Sequence, residues 1–398
     1  MAGSPASATS PCYPYDLVFC YWFFAAPALL LAFLSLRGER KRADYYAARL
    51  SQTPDRLPMV SVIVPVKGHD EGLRENLAAL ASLDYPDYEL VVVANSADDI
   101  PPGVLPHRAK IVLAHGNNPE AGEKVQNLLA AVRAVCKRTE VFAFADSDGR
   151  VTRGWLRALV TPLAEPGVGA ATGYRWFVPD PPTFWSLMRG VWDAVAAGRL
   201  GPGNNPFVWG GATAIRKELF YEIRVPDAWR NAVSDDYALG AALRAAGLTI
   251  AYAPGALTPC PEHTSAGRFF SWMRRQLLLT RVYHPRLWWP GLLAHFFYCG
   301  GMAASIVASI RGNRLAEWAL IAQLSPGMLK GLNRAVLAKA ALPDYEAWFK
   351  RHIWVHAIWV PLATWIWLAA FASSAFGHTI EWRGYRYDLE HHRTAERL

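Results

Sequence analysis

The sequence predicts an α/β domain built on a mostly parallel sheet, with membrane-associated helices on both sides of it. Between residues 60 and 145, short runs of β-branched and apolar residues alternate with segments of helical periodicity. This alternation is typical of a parallel sheet whose two faces are covered by helices. Long apolar runs flank this region, and one of them, residues 17–36, has 20 residues without a charged side chain. A run of that length can cross the hydrocarbon core of a bilayer.

The composition indicates a membrane protein rather than a soluble enzyme. Hydrophobic residues make up 52% of the 398 residues, 17 of which are tryptophan, and the mean hydropathy is +0.07. The net charge of +8 suits nucleic acid or an anionic membrane surface. Because apolar segments accompany the charge, we predict membrane lipids as partners and no nucleic acid. The 5 cysteines have no paired spacing, which supports neither a disulfide framework nor a zinc cluster.

The first apolar run predicts a transmembrane helix. A cleaved signal peptide is the alternative, but its basic residues would precede the apolar run, whereas here Arg37, Arg40, Lys41 and Arg42 follow it. Residues 1–15 contain no Lys or Arg. The positive-inside rule therefore places the N-terminus outside and the following domain in the cytoplasm.

The remaining boundaries follow from shifts in composition. Apolar runs at 290–310 and 353–376 predict further membrane helices, a weaker run at 315–329 predicts a re-entrant or interfacial segment, and the basic stretch 330–351 predicts a cytoplasmic loop. The number of C-terminal spans stays open. The predicted segments are an N-terminal tail (1–16), a transmembrane helix (17–36), a basic linker (37–58), a catalytic domain (59–283), transmembrane or interfacial helices (284–377) and a C-terminal tail (378–398).

Two aspartates follow an apolar strand and predict a metal site. Residues 141–145 are apolar and lead directly into Asp146 and Asp148. Ligands of open α/β sheets lie beyond the carboxyl ends of the strands. Carboxylates at that edge suit Mg²⁺ or Mn²⁺ held together with substrate phosphates. An apolar strand ending in Asp-x-Asp-Gly also opens haloacid-dehalogenase-type phosphohydrolases, but there the motif lies on the first strand of the domain.

A second acidic pair, Asp235 and Asp236, opens a predicted helix. Ser234 or an aspartate is a natural N-cap for this helix, and capping is the simpler interpretation of Asp235. Asp236 is our candidate for a general base, because an attacking hydroxyl benefits from a carboxylate that accepts its proton.

These motifs, taken in order, resemble the family-two type of membrane glycosyltransferase, and most closely ceramide glucosyltransferase and its bacterial relatives. The resemblance covers about residues 60–281. It implies a nucleotide-sugar-binding domain of the GT-A type, a metal-dependent hexosyltransferase activity and a UDP-sugar donor. The residues that carry it are Pro65, Val66, Lys67, Gly68, Leu83, Asp84, Tyr85, Pro86, Asp98, Asp99, Lys124, Asn127, Leu128, Asp146, Ser147, Arg150, Val151, Gly210, Arg216, Lys217, Asp236 and Tyr237.

The resemblance also implies roles for single residues. Asp98 and Asp99 would hold the uridine or ribose, and Lys124 would lie near the nucleotide, as would Pro65 and Asp146. Lys67 either faces the phosphates or is a solvated lysine after a strand. Members of such families carry a further motif later in the chain than the general base. It consists of Gln or Arg, any two residues, and then Arg-Trp.

The best match to that last motif departs from it. Trp272 stands at its first position, Arg275 keeps the arginine and Gln276 replaces the tryptophan. We predict that these residues, with Asp235, contact the diphosphate or the acceptor. The segment 380–385 also resembles the Trp-Arg-Gly tail of such transferases.

The predicted function is inverting transfer of a sugar, glucose in the first instance, from a UDP-sugar to a lipid hydroxyl such as that of ceramide at the cytoplasmic membrane face. Aromatic residues at 269–289 would place a lipid headgroup beside the site. The alternatives are a processive polysaccharide synthase, an inactive membrane scaffold and the phosphohydrolase. The membrane is the plasma membrane if the protein is bacterial, and the oligomeric state stays open.

Overall fold

A seven-stranded sheet forms the centre of the predicted catalytic domain. The computed structural model describes residues 14–54, 56–389 and 393–397, with side chains for 21–54 and 56–389. The strands of the catalytic domain are β1 (Val60–Pro65), β2 (Tyr88–Ala94), β3 (Ala109–Leu113), β4 (Val141–Ala145), β5 (Val168–Thr172), β6 (Arg175–Phe177), β7 (Ala212–Arg216), β8 (Thr249–Tyr252) and β9 (Thr258–Cys260).

The strand order of the main sheet is β3-β2-β1-β4-β7-β5-β8, and all neighbouring pairs are parallel except those of β7, which is antiparallel to β4 and β5. The short strands β6 and β9 pair separately. The predicted α/β class with a mostly parallel sheet is confirmed.

The strand β4 lies in the middle of the sheet because its sequence has no polar face. All of its residues are buried, and it pairs with β1 on one side and β7 on the other. Strands buried on both faces are expected to be continuously apolar. Asp146 and Lys67 therefore emerge near the same edge of the sheet, beyond the carboxyl ends of β4 and β1.

The described residues form fifteen α-helices. They are α1 (Pro14–Ser35), α2 (Glu39–Ser51), α3 (Leu73–Leu80), α4 (Glu123–Ala134), α5 (Trp155–Val160), α6 (Phe184–Ala197), α7 (Lys217–Glu222), α8 (Val225–Trp229), α9 (Asp235–Ala245), α10 (Ala266–Tyr283), α11 (Pro285–Ile310), α12 (Arg314–Ala341), α13 (Glu346–His352), α14 (Val355–Ile358) and α15 (Val360–Ser374).

Two helical segments of the described chain are long and apolar enough to cross a membrane. They are Tyr21–Ser51 and Pro285–Ile310, and only 17% and 22% of their most apolar windows are buried. Large apolar side chains point outward from them, including Leu30 at 60% exposure and Trp289 at 57%. A core helix of a soluble protein would bury such side chains, so this surface indicates association with a membrane.

The structure differs from the sequence expectations in three segments. The weak run at 315–329 belongs to one continuous helix, α12, which extends to Ala341 into the predicted loop, and α13 occupies most of the rest. The predicted basic linker is mostly helical, as α2. Helix propensity and packing against neighbouring helices override the composition signal in both places. Most of the predicted N-terminal tail, residues 1–13, lies outside the described residues.

The third difference concerns the predicted C-terminal tail, which forms a small antiparallel sheet. Its strands are β10 (Thr379–Trp382), β11 (Tyr385–Asp388) and β12 (Arg393–Arg397). Ile380, Tyr387 and Leu389 are buried against Val233, Leu278 and Leu279 of the catalytic domain. This packing holds the turn between β10 and β11 close to the carboxyl edge of the main sheet.

Candidate active site

A polar cavity of about 790 Å³ opens at the carboxyl ends of β1 and β4. Its walls come from these strand ends, the first turns of α4 and α9, one face of α10 and the C-terminal sheet. Asp98 and Asp99 do not line it. The predicted site residues that do are Pro65, Lys67, Lys124, Asp146, Asp148, Asp235, Asp236, Trp272, Arg275 and Gln276.

Lys124 joins the two acidic motifs of the sequence. Its Nζ lies 2.8 Å from Asp146 Oδ1 and 3.2 Å from Asp235 Oδ1. Burial opposes the charge of Lys124, but Asp146 and Asp235 outweigh it and hold its pKa above the usual value. Burial raises the pKa of Asp235, an effect that Lys124 partly offsets. Asp235 thus pairs with a lysine, and Ser234 rather than Asp235 occupies the N-cap position of α9.

Asp148 is the carboxylate without a partner. It lines the cavity but makes no hydrogen bond or ion pair to the described residues. Burial raises its pKa, and the charges of Asp146, Glu262 and Asp70 add to the effect. A cation at this position would relieve that repulsion.

The donor chemistry of Asp146 and Asp148 fits a hard divalent cation. Carboxylate oxygens are the ligands that Mg²⁺ and Mn²⁺ prefer, together with substrate phosphates. Among the described residues no group of three or more His, Cys, Asp or Glu side chains could hold an ion. The two aspartates would therefore need oxygen atoms of a bound diphosphate to complete the coordination.

Asp236 is held at the first turn of α9 with one oxygen committed. The Ser234 hydroxyl and the Tyr237 backbone N–H both donate to Asp236 Oδ1, the latter at 2.7 Å. The other oxygen, Oδ2, has no bond to the described residues. The carboxylate is half-buried and lines the polar cavity. An acceptor hydroxyl could therefore approach Oδ2.

The contacts of Lys67 bear on whether it faces the phosphates or is a solvated lysine. Lys67 pairs with Glu123 and lies over the ring of Tyr385, with its Nζ 4.3 Å from the ring centroid. It is therefore not a freely solvated lysine. By contrast, Asp99 accepts hydrogen bonds from Ser96 N and Oγ at 2.9 and 3.1 Å, and Asp98 is exposed.

One face of α10 brings Trp272, Arg275 and Gln276 to the cavity, as their spacing of three and four residues requires. The Arg275 guanidinium lies over the Trp382 ring at 5.4 Å from its centroid. Burial, followed by repulsion from Arg175 and Arg383, lowers the pKa of Arg275 to about 10. Arg275 makes no ion pair with the described residues and is available to an anion.

The sequence interpretation missed Arg383. It lies in the turn between β10 and β11, in the left-handed backbone region at a φ of 52°. Its Nη1 is 2.6 Å from Asp70 Oδ1 and donates to the Lys67 carbonyl at 3.3 Å. Arg383 also lines the cavity. The resemblance of segment 380–385 to a transferase tail was the one available signal, but it did not indicate a position over the cavity.

For the UDP-sugar donor that the sequence resemblance implies, Arg383→Gln is expected to weaken UDP binding about tenfold, because a charge-assisted hydrogen bond to phosphate contributes roughly 1.5–3 kcal/mol. Calorimetric titration of purified protein with UDP and Mn²⁺ measures this. Arg386→Gln, in the next strand, changes the same charge outside the cavity lining. Equal UDP affinity of Arg383→Gln and wild type would remove Arg383 from the donor site.

A second, apolar cavity of about 580 Å³ lies between the catalytic domain and the apolar helices. Side chains of α1, α6, α10, α11, α12 and α15 line it. The two cavities meet, because five residues line both: Arg175, Trp209, Asp236, Tyr237 and Gln276. Arg175 is anchored at this junction by Asp193, 3.4 Å away, and lies over Trp272.

A mostly parallel sheet with carboxylates at its strand ends, beside a polar cavity, fits the class of glycosyltransferases with a GT-A-like domain. The sequence model for glycosyl transferase family 21 matches residues 20–395. The chain therefore belongs to glycosyl transferase family 21. The predicted glycosyltransferase class is confirmed, and the phosphohydrolase alternative has no support.

Several solved structures are similar to this chain. The mannosyltransferase PcManGT from Pyrobaculum calidifontis, in complex with GDP-Man and Mn²⁺, has 19% identity and a TM-score of 0.45, over 88% of this chain and 97% of that one. Glucosyl-3-phosphoglycerate synthase from Mycobacterium tuberculosis, in complex with Mn²⁺, UDP and glucosyl-3-phosphoglycerate, has 14% identity and a TM-score of 0.38, over 61% and 83%. GalNAc-T7 with UDP, GalNAc and Mn²⁺ has 11% identity and a TM-score of 0.39, over 55% and 48%.

Proposed function

We propose that the protein transfers a sugar, glucose in the first instance, from a UDP-sugar to a hydroxyl of a membrane lipid such as ceramide, with inversion at the anomeric carbon. The observation that carries the proposal is the junction of the two cavities at Asp236. A polar donor site and an apolar acceptor site that meet at one carboxylate suit a charged donor and a lipid acceptor.

The proposed binding of the UDP-sugar donor is supported by the charged side chains of the polar cavity. The diphosphate would lie between Asp146 and Asp148 on one side and Arg275 and Arg383 on the other. Mg²⁺ or Mn²⁺ held by the two aspartates would neutralise the departing diphosphate. The arginines would donate charge-assisted hydrogen bonds to its oxygens.

The acceptor half rests on the apolar cavity. Its walls include Val191, Trp192, Leu277, Trp288 and Trp367, and its volume lies in the ordinary range of ligand sites. A lipid chain there would carry its hydroxyl to Asp236 Oδ2. The carboxylate would take the hydroxyl proton while the acceptor oxygen bonds to the anomeric carbon and the bond to UDP breaks. One displacement on the opposite face inverts the configuration.

The membrane arrangement is part of the proposal. We infer that α1 and α11 cross the bilayer and that α12 and α15, which pack against them, complete a multi-pass membrane region. The basic residues after α1 favour a cytoplasmic catalytic domain. The membrane is the plasma membrane if the protein is bacterial.

The test is release of UDP by detergent-purified protein supplied with several UDP-sugars, membrane lipid extract and Mn²⁺ or Mg²⁺. We expect release that requires both lipid and metal, and the preferred sugar identifies the donor. Turnover on a soluble oligosaccharide, with none on lipid, would instead favour the processive-synthase alternative. Absence of release from folded protein with every sugar would favour an inactive scaffold.

A cavity-filling variant tests the acceptor site separately. Ala294 lines the apolar cavity from α11, so Ala294→Phe places a ring where the lipid chain would lie. We expect at least a tenfold higher KM for the lipid and an unchanged affinity for UDP, because the donor cavity is untouched. The control is Ala308→Phe, on the same helix but outside both cavity linings. An equal effect of both variants would argue against the acceptor role of this cavity.

A further inference from the structure

A group of cations lies where α2, the end of α6 and α12 meet, away from Asp236. We define the basic cluster as Arg42, Arg199, Lys330 and Arg334. Lys330 and Arg334 are one turn apart on α12 and share a face. Like charges at this spacing repel each other, so the arrangement is unfavourable without a neutralising partner.

Among the described residues, one carboxylate, that of Glu39, forms ion pairs with the cluster, and it reaches two of the four cations. Glu39 lies 3.7 Å from Arg42 Nε and 3.9 Å from Lys330 Nζ. Its other oxygen accepts a hydrogen bond from Asn333 at 2.6 Å. Besides Glu39, the charged groups that act most strongly on Lys330 are Arg334, Arg42 and Arg199, all positive. The cluster therefore keeps a positive excess in a half-buried place.

Some buried polar atoms of the basic cluster and of Glu39 also lack hydrogen-bond partners among the described residues. The Nε atoms of Arg42 and Arg334, and Oε1 of Glu39, are buried and have no hydrogen-bond partner within the described part of the chain. Arg334 lies against Gly198, where an added Cβ would come within 2.5 Å of its Nε. Only glycine lets the guanidinium approach the end of α6 so closely. Buried donors without partners cost free energy, which an anionic ligand would recover.

The cluster opens onto apolar surface. Arg199, Lys330 and Arg334 line the apolar cavity together with Leu31 and Ser35 of α1. Ser35 is also the last residue of α1. If α1 crosses the bilayer, the cluster lies at the level of its end, where lipid phosphates are found. A ligand that meets both surfaces has an anionic head and an apolar chain.

We propose that the basic cluster binds the phosphate of an anionic membrane phospholipid, whose acyl chain enters the apolar cavity from the α1 side. Guanidinium and ammonium donors suit phosphate oxygens, and arginine binds them in a forked geometry. The proposal rests on the membrane placement of the proposed function but not on the identity of the donor or acceptor. Binding here involves no sugar transfer, although the acyl chain would share the apolar cavity with the proposed acceptor lipid and compete with it.

The experiment measures lipid binding by the full-length chain, purified in neutral detergent and without UDP-sugar. The probes are phosphatidic acid, diacylglycerol with the same chains, and inorganic phosphate. We expect phosphatidic acid to bind and raise the Tm, and the other two to do so at least tenfold more weakly, because each lacks one half of the ligand. Binding of diacylglycerol as tight as that of phosphatidic acid would overturn the phosphate site. Inorganic phosphate acting as strongly as phosphatidic acid would overturn the lipid assignment.

The matched variant is Lys330→Gln with Arg334→Gln, and the control is Arg351→Gln, an exposed charge outside the cluster. We expect the double variant to bind phosphatidic acid at least tenfold more weakly than wild type and the control to be unchanged. Without lipid, the Tm of the double variant should equal or exceed that of wild type, since repulsion is removed. A lower lipid-free Tm together with unchanged phosphatidic acid affinity would show a structural role and overturn the proposal. Because no sugar is transferred, these results do not depend on the outcome of the UDP-release test.

Discussion

Asp236→Asn is expected to lower sugar transfer by about 10²–10⁴-fold, the usual contribution of a positioned general base. An amide keeps the shape of the side chain and can still accept at Oδ1 from Ser234 and the Tyr237 N–H. It cannot take the acceptor proton. The measurement is UDP release with donor and lipid both saturating, accompanied by calorimetric titration with UDP.

The affinity for UDP should stay within about twofold of wild type, because Asp236 lies at the acceptor side of the donor cavity. Asp84→Asn is the control, since its carboxylate is 70% exposed and outside the cavity. A fully active Asp236→Asn would exclude Asp236 as the base. Asp235 is unsuitable as a control, because its replacement would leave Lys124 with a single carboxylate.

Asp148→Asn is expected to remove the metal dependence of donor binding. A metal ion contributes several kcal/mol to such a reaction, so the loss in transfer should be about 10²–10³-fold. Titration with UDP, with and without Mn²⁺, gives a readout that does not require turnover. Wild type should bind UDP more tightly when Mn²⁺ is present, whereas the variant should bind equally in both conditions. Retained Mn²⁺ enhancement would contradict the assignment of Asp148 as a ligand.

We also expect Asp148→Asn to affect the thermal stability of the protein. Burial and neighbouring carboxylates raise the pKa of Asp148 in the folded state. A carboxyl whose pKa is raised in the folded state costs stability as the pH rises above its unfolded-state pKa, and the loss is complete above the folded-state pKa, which for Asp148 is about 7. In metal-free buffer at pH 8, the Tm of Asp148→Asn should therefore equal or exceed that of wild type. A clearly lower Tm would show that the carboxylate is ionised and paired in the folded protein.

Much of the site could be predicted because it depends on local sequence. The apolar strand β4 can only be buried, so Asp146 and Asp148 had to emerge at the sheet edge where ligands bind. The spacing of Trp272, Arg275 and Gln276 requires a shared helix face. The pairing of Lys124 with Asp146 and Asp235 could not be predicted from the sequence, because it depends on how α4 and α9 pack beside β4.

The sequence by itself determined the α/β class, the apolar helices and the two acidic motifs, because periodicity and uninterrupted apolar runs are local properties of the chain. Only the tertiary structure decided that Arg383 lies over the donor cavity, more than 300 residues after Asp70, which it contacts. The junction of the two cavities at Asp236 was likewise decided by packing. Such contacts between distant segments arise when apolar faces are buried together, and no local pattern encodes which segments will meet.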